Sequence, residues 1–243
     1  MFGSRVAYSI CMVLATIVAG VLLRRRQTKL TLQPMQKWGI AIGGLVGATF
    51  AAKLPFILGA DPAGGVVGAW LSDGKTILWG LAGGYLGVEL AKWAFLVKTS
   101  AGDSFVIPVA VAIAIGRVGC LLFGCCYGIE TNQSWGIRYL TAPDAGVLLR
   151  HPTQIYEIVF HLSFAIIVWS TTQRQSDRSL MQGNWMPVYL IAYAVYRFAS
   201  EFLRPELRIA GGLTFYQWSS IVIGFGFAAL LATRFRRGVA IAK

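Results

Sequence analysis

Apolar residues run along the chain in long blocks of about 20 residues, the length that crosses roughly 30 Å of hydrocarbon as an α-helix. Such blocks lie near 4–23, 38–58, 76–97, 105–127, 154–172, 184–203 and 214–233. The pattern predicts an all-α integral membrane protein of about seven transmembrane helices. Breakers and charges fall between the blocks, at Asp61-Pro62 with Gly64-Gly65, Gly102-Asp103, Asp144 to Gly146, Arg174 to Arg178 and Pro205 to Gly212. No connection is long enough for a soluble domain, so residues 1–243 are read as a single polytopic membrane domain.

Composition agrees with the pattern. The chain is 56% hydrophobic and 13% charged, against roughly 25% charged residues in a soluble domain, and its mean hydropathy is +0.62. Basic residues set the orientation. Arg24, Arg25, Arg26, Lys29 and Lys37 follow the first block, Lys98 the third, Arg174 and Arg178 the fifth, and Arg234, Arg236, Arg237 and Lys243 the last, all on one side. The opposite loops hold a mixed set, Asp61, Asp73, Lys75, Glu130, Arg138, Asp144, Arg150, Arg204, Glu206 and Arg208. The positive-inside rule then places the N-terminus outside and the C-terminus in the cytoplasm. The net charge of +12 is mostly this topology signal, plus attraction to anionic lipid of about 1 kcal/mol per surface Lys or Arg. Nucleic acid is not an expected partner. A cleavable signal peptide is not expected either, because the positive cluster follows the first apolar run.

Charges inside the blocks can be weighed singly, since each is expensive there. Arg117 lies in the apolar, glycine-punctuated stretch from Ala112 to Gly128. Burying its guanidinium costs roughly 3 kcal/mol on insertion scales, so it needs an anionic partner, and lipid phosphate is the plentiful anion of a membrane. Tyr193, Arg197 and Glu201 recur every four residues, with Arg204 seven beyond Arg197, as a polar stripe on an aromatic-rich helix. Arg197 and Glu201 can pair as interhelical glue, or Arg117 and Arg197 can supply two forks to a phosphodiester. Lys53 is expected to snorkel outward, and Glu89 with Lys92 to neutralise one another.

The segment His151-Pro152-Thr153-Gln154-Ile155-Tyr156-Glu157 opens the fifth block. Proline and acceptor side chains suit a helix start. His151, Gln154, Tyr156 and Glu157 also crowd polar groups at the depth of Cys120 to Tyr127. His161 reads as a packing residue outside the site. Gly83, Gly84 and Gly87 permit close helix approach. Tyr8 and Gln217 are lone polar groups. Of the four cysteines, Cys11, Cys120, Cys125 and Cys126, the last three are expected to be small reduced packing residues. A Cys120 disulfide and a reactive thiol are the alternatives. With no histidine at zinc-site spacing, neither a metal site nor a cofactor is expected.

Three ordered motifs now stand out: GRVGCLLFGCCYG at 116–128, HPTQIYE at 151–157, and YAVYRFASEFLRPE at 193–206 followed by GLTFYQW at 212–218. With weaker echoes in GGLVGA at 43–48 and GGYLGV at 83–88, and with Tyr8 near the start of the first helix, the chain resembles the prolipoprotein diacylglyceryl transferase family. The resemblance implies a seven-helix enzyme of the bacterial inner membrane that moves the diacylglyceryl group of phosphatidylglycerol to a thiol and releases glycerol phosphate. A prolipoprotein signal peptide carrying the lipobox cysteine is the implied acceptor. Arg117 and Arg197 match the family's essential arginines, and Tyr193, Glu201, Gly128 and Tyr8 match functional positions. The full expected site is catalytic Arg117, Arg197, Tyr193, Glu201 and His151, with substrate contacts from Tyr8, Gly119, Cys120, Gly128, Gln154, Tyr156, Glu157, Arg204 and Gln217.

The chain departs from the family pattern at four places. The family has asparagine where Cys120 and Phe123 stand, glutamate at Cys125 and histidine at Ala82. The pattern resembles a divergent paralogous branch, with His151 or Tyr193 as substitute bases. Two other classes compete: a non-catalytic phospholipid-binding or transport protein on the same scaffold, and a thiol-disulfide protein built on the cysteines.

Overall fold

The computed structural model describes residues 5–28, 30–58, 68, 70, 76–174 and 181–241. Lys29, Asp61, Pro62, Gly64, Gly65, Asp73, Lys75, Arg178 and Lys243, used above for turns and orientation, lie outside them. Among the described residues there are seven α-helices: α1 (Arg5–Gln27), α2 (Pro34–Leu58), α3 (Ile77–Ala94), α4 (Asp103–Phe123), α5 (Thr153–Arg174), α6 (Trp185–Ser200) and α7 (Phe215–Ile241). The chain is thus all-α apart from a two-residue antiparallel ribbon, β1 (Ile137–Arg138) with β2 (Leu149–Arg150), and 3-10 turns at Glu201–Leu203 and Ala210–Gly212. Five helices, α1, α2, α4, α5 and α7, are long and apolar enough to cross a membrane.

Helix ends correct the expected blocks. The fourth was expected to reach residue 127, but α4 stops at Phe123. Gly124 turns left-handed (φ 83°), its N–H donates to Leu121 O at 3.1 Å and Cys125 N–H donates to Cys120 O at 3.1 Å. Those bonds form a Schellman motif, which satisfies the last carbonyls and turns the chain away. Residues 124–128 are therefore a loop. The third block ends at Ala94 rather than 97. The sixth leaves α geometry after Ser200 and continues as one 3-10 turn, with Pro205 restricting the residue before it.

The chain forms two compact units, each drawn from three separate stretches. The first takes the described parts of 1–26, 104–179 and 196–218, and the second those of 27–103, 180–195 and 219–243. In the second, α2 and α3 approach backbone to backbone: a Cβ at Gly43 would lie 2.7 Å from Gly87 O, and one at Gly83 would lie 2.5 Å from Gly47 O. Glycines four apart on both helices permit that contact where larger residues could not. Asp103 accepts from Gly183 N–H at 2.5 Å and Trp185 N–H at 3.0 Å, a carboxylate at the start of α6. Glu89 and Lys92 pair at 3.0 Å as expected. Lys53 is buried, against the expectation that it snorkels.

In the first unit, α1 lies against α4 at Gly119, where a Cβ would stand 2.9 Å from Cys11 Cβ and 3.4 Å from Tyr8 Cδ2. The connection from α4 to α5 is ordered by Arg150, whose Nη2 donates to Asp144 Oδ1 at 2.8 Å. Arg150 also lies 5.3 Å from the Tyr127 ring centre, and Tyr127 stacks on Tyr139 at 5.1 Å. Backbone bonds from Leu148 and then the Arg150 guanidinium hold Asp144 below the usual carboxylate range.

Candidate active site

The first unit buries a cluster of charges. Arg117, in the last two turns of α4, donates from Nη2 to both oxygens of Glu157 on α5, at 2.9 and 2.8 Å. Glu157 is fully buried. Arg204, just past the 3-10 turn, donates from Nη2 to Glu157 Oε2 at 3.3 Å, and His161 Nε2 lies 3.7 Å from Glu157 Oε1. One carboxylate therefore gathers two guanidiniums and an imidazole.

A second pair stands on the chain leaving α6. Arg197 Nη2 meets Glu201 Oε2 at 2.8 Å, and its guanidinium carbon lies 4.9 Å from the Tyr216 ring centre. Glu201 also accepts from the Thr214 hydroxyl at 3.0 Å. Among the cluster's polar atoms, the donors Arg197 Nη1 and Arg204 Nε and the acceptor Glu201 Oε2 are buried without a hydrogen bond among the described residues. Guanidinium N–H groups left like this are costly unless a further acceptor arrives.

The geometry can be set beside known proteins. The profile of the family described as prolipoprotein diacylglyceryl transferase matches residues 4–233. The chain belongs to this family. It is 31% identical over 240 residues to phosphatidylglycerol–prolipoprotein diacylglyceryl transferase 2 of Clostridium perfringens (strain 13 / Type A), covering 93% of this chain and 90% of the relative. It is 33% identical over 208 residues to the phosphatidylglycerol–prolipoprotein diacylglyceryl transferase of Solidesulfovibrio magneticus (strain ATCC 700980 / DSM 13731 / RS-1), covering 81% of this chain and 74% of the relative.

In this family member the expected site residues separate into groups. Arg117, Arg204 and Glu157 form one ion cluster, and Arg197 with Glu201 a pair beside it. Tyr193 is buried one turn before Arg197 on α6, in the stretch assigned to the second unit. His151 and Tyr156 form their own chain: His151 Nδ1 lies 3.1 Å from Tyr156 Oη, which accepts from Trp135 Nε1 at 2.9 Å.

Several polar residues have their groups taken up by the fold. Gln154 donates to Cys125 O at 2.6 Å and accepts from Tyr139 at 3.0 Å. Burial pushes the Tyr139 phenol up to about 12, so it stays a donor. Gln217 and Thr214 make a capping box at the start of α7, with Thr214 N–H donating to Gln217 Oε1 at 2.9 Å and Gln217 N–H donating to Thr214 Oγ1 at 3.2 Å. Gly128 passes close to its neighbours, since a Cβ there would lie 2.5 Å from Leu203 O and 2.8 Å from His151 Cβ. Tyr8 and Gly119 pack on one another, as described above.

Four contributors escaped the sequence reading. His161 was set aside as packing, although it lies one turn from Glu157 on the same helix face, a signal that was available. Thr214 was readable from its T-x-x-Q spacing. Thr153, which donates to Cys126 O at 2.6 Å, and Trp135 carry no pattern that would mark them. All four cysteines are free thiols. Sγ of Cys120, Cys125 and Cys126 lie within 4.8 Å of one another. Thiol hydrogen bonds with Cys120 and Cys125 lower the Cys126 thiol well below its usual range, with the charges of Arg117 and Arg204 adding to the effect.

Proposed function

We propose that this protein is a phospholipid-dependent diacylglyceryl transferase of the bacterial inner membrane, moving the diacylglyceryl group of phosphatidylglycerol to a thiol and releasing glycerol phosphate. Family membership supports the reaction class. The observation that carries it to this chain is the buried cluster of Arg117, Arg197 and Arg204 against Glu157 and Glu201. Its formal charge is +3 − 2 = +1 with His161 neutral, the sign that favours a phosphodiester. The buried donors of Arg197 and Arg204 offer it hydrogen bonds.

In the reaction the acceptor sulfur attacks the glyceryl carbon bearing the phosphate ester. The S–C bond forms, the C–O bond breaks, and its electron pair leaves on the phosphate. Guanidinium donors aimed at that oxygen stabilise the charge as it develops, which is worth more in a water-poor site than in water. The thiol proton passes to a base, for which His151 and Tyr193 are this chain's residues. A prolipoprotein lipobox cysteine is the proposed acceptor. The chain would form a single seven-span domain with its N-terminus outside. Labelling of single cysteines placed at residues 24–37 should occur only from the cytoplasmic face, and labelling from outside would reverse the orientation.

The deciding experiment is mass spectrometry of a lipobox peptide after incubation with the purified protein in phosphatidylglycerol nanodiscs. The thioether adduct and glycerol phosphate should both appear. Arg117→Ala and Arg197→Ala should each lower turnover by about 10²–10³-fold or more, the loss expected for one transition-state donor. Bound phosphatidylglycerol without any adduct would favour a lipid-binding protein on this scaffold instead.

A further inference from the structure

Cys120 and Cys125, which stand where the family carries polar side chains, meet a third sulfur, that of Cys126. Cys120 is buried in the last turn of α4, Cys125 half-buried and Cys126 exposed, so the cluster runs from the protein interior to a surface through which an ion can enter. Cys125 and Cys126 Sγ are 3.7 Å apart, and all three Sγ lie within 4.8 Å. A tetrahedral zinc-type ion with bonds of about 2.3 Å needs sulfurs about 3.8 Å apart. The Cys125–Cys126 separation is close to that, the remaining pairs lie within 4.8 Å, and all are far from the sulfur–sulfur bond of a disulfide, about 2.05 Å.

The backbone is arranged to bring the sulfurs together. Gly124 (φ 83°) and Cys126 (φ 64°) both adopt left-handed conformations, which a non-glycine residue rarely takes without a reason. Neighbours hold the turn: Gln154 donates to Cys125 O and Thr153 to Cys126 O, each at 2.6 Å, and Cys125 N–H donates to Cys120 O at 3.1 Å. Ligands fixed by a supporting shell need little reorganisation on binding.

We propose that Cys120, Cys125 and Cys126 form a three-thiolate site for a thiophilic d10 dication of the zinc type, whose fourth position takes an incoming thiol. Among the described residues no fourth Cys, His, Asp or Glu joins the group. Three protein ligands with one place for substrate is the arrangement of catalytic rather than structural zinc. A thiol bound there gives up its proton to the base of the transfer reading and remains a thiolate. This second half rests on the transfer reading above, where it answers the loss of the family's histidine at Ala82: the coordinated sulfur attacks the glyceryl carbon, exchanging its metal bond for the S–C bond while the phosphate leaves with the C–O electron pair. The expectation from spacing that no metal site exists is revised because Cys-x4-Cys-Cys is brought together by two left-handed residues that spacing does not reveal.

The test begins without any transfer assay. Full-length protein, purified in detergent under reducing conditions, is loaded with Zn²⁺, desalted and assayed by atomic emission, while Cd²⁺ loading is followed by sulfur-to-metal charge-transfer absorption. One ion per chain is expected. Zn²⁺ should protect three thiols from maleimide in the unmodified protein, and a chelator should expose them. Cys120→Ser, Cys125→Ser and Cys126→Ser should each weaken binding at least as much as loss of a supporting residue does, about 10–100-fold, while Cys11→Ser leaves it unchanged. Failure to retain Zn²⁺, or thiols equally reactive with and without it, overturns the site whatever the variants do. Stoichiometric binding with no adduct under any metal condition keeps the site and defeats the transfer reading. Equal transfer with Zn²⁺ and with chelator defeats the fourth-position role and leaves the transfer reading intact.

Discussion

Replacing Glu157 by glutamine changes almost nothing in shape and removes the charge that holds Arg117 and Arg204. The carboxylate is fully buried, with contacts of 2.8 and 2.9 Å to Arg117 and 3.3 Å to Arg204. In the variant the cluster keeps three guanidiniums against Glu201 alone, so its formal charge rises from +1 to +2. Removing one partner of a buried pair costs about 3–5 kcal/mol because the other charge stays buried and uncompensated. The amide NH₂ adds to the cost by presenting donors where acceptors stood. Arg117→Met should cost less, since Glu157 retains Arg204 and His161 at 3.3 and 3.7 Å.

The assay is reversible unfolding in mixed micelles, with helix content read by circular dichroism. Glu157→Gln should lose about 3 kcal/mol or more, and the double variant with Arg117→Met should fall short of the sum by about 1–3 kcal/mol, the coupling expected of residues in contact. A loss below about 1 kcal/mol for Glu157→Gln, or strict additivity in the cycle, would refute the claim that this carboxylate is the cluster's structural anchor.

Two further predictions test other parts of the molecule. Gly87→Leu should separate α2 from α3, because a Cβ there would already meet Gly43 C at 2.9 Å and Gly47 Cα at 3.2 Å; a loss of about 1–3 kcal/mol is expected in the same unfolding assay, whereas Gly226→Leu, with nothing within 4 Å of its Cβ, serves as the neutral control. Asp144 is held below its ordinary value of 3.8 by backbone bonds from Leu148 and by Arg150, so its contribution is present above that value and is lost only as pH falls through the lower folded value. Pepsin nicking between Tyr139 and Arg150 should accordingly stay slow at pH 4 and accelerate well below it, and early acceleration, above pH 4, would contradict the assignment.

The charges of the candidate site were legible in the sequence because a guanidinium or carboxylate in an apolar block has no inexpensive explanation there. Arg197 and Glu201 could also be paired, since helical spacing puts residues four apart on one face. The partner of Arg117 could not be read. Glu157 is 40 positions away, and only the packing of α4 on α5 brings them together. Gln154 and Gln217 were correctly seen as unusual polar groups, yet side-chain identity does not reveal that both ends of each amide are taken up inside the fold, by Cys125 O and the Tyr139 hydroxyl for Gln154 and by Phe198 O and the Thr214 N–H for Gln217. The end of α4 was missed because Gly124 is flanked by apolar residues, so hydropathy continued through a Schellman turn that only the backbone angles expose.

A count of donors and acceptors explains why such a cluster persists in an apolar molecule. Each guanidinium carries about five N–H donors and each carboxylate about four lone-pair sites. Three of the first against two of the second leave acceptors short, and a buried donor without an acceptor is costly. A cluster serving only as glue would be expected to balance, since replacing buried ion pairs with apolar residues is often neutral or stabilising. The imbalance has a direction as well as a size. Arg197 Nη1 and Arg204 Nε, buried and without a hydrogen bond among the described residues, lie on the two arginines that flank Glu201 in the chain, and Glu201 Oε2 is likewise without one. An anion with several oxygens, arriving between them, would supply further acceptors, and the phosphate of a lipid headgroup matches the guanidinium fork bidentately.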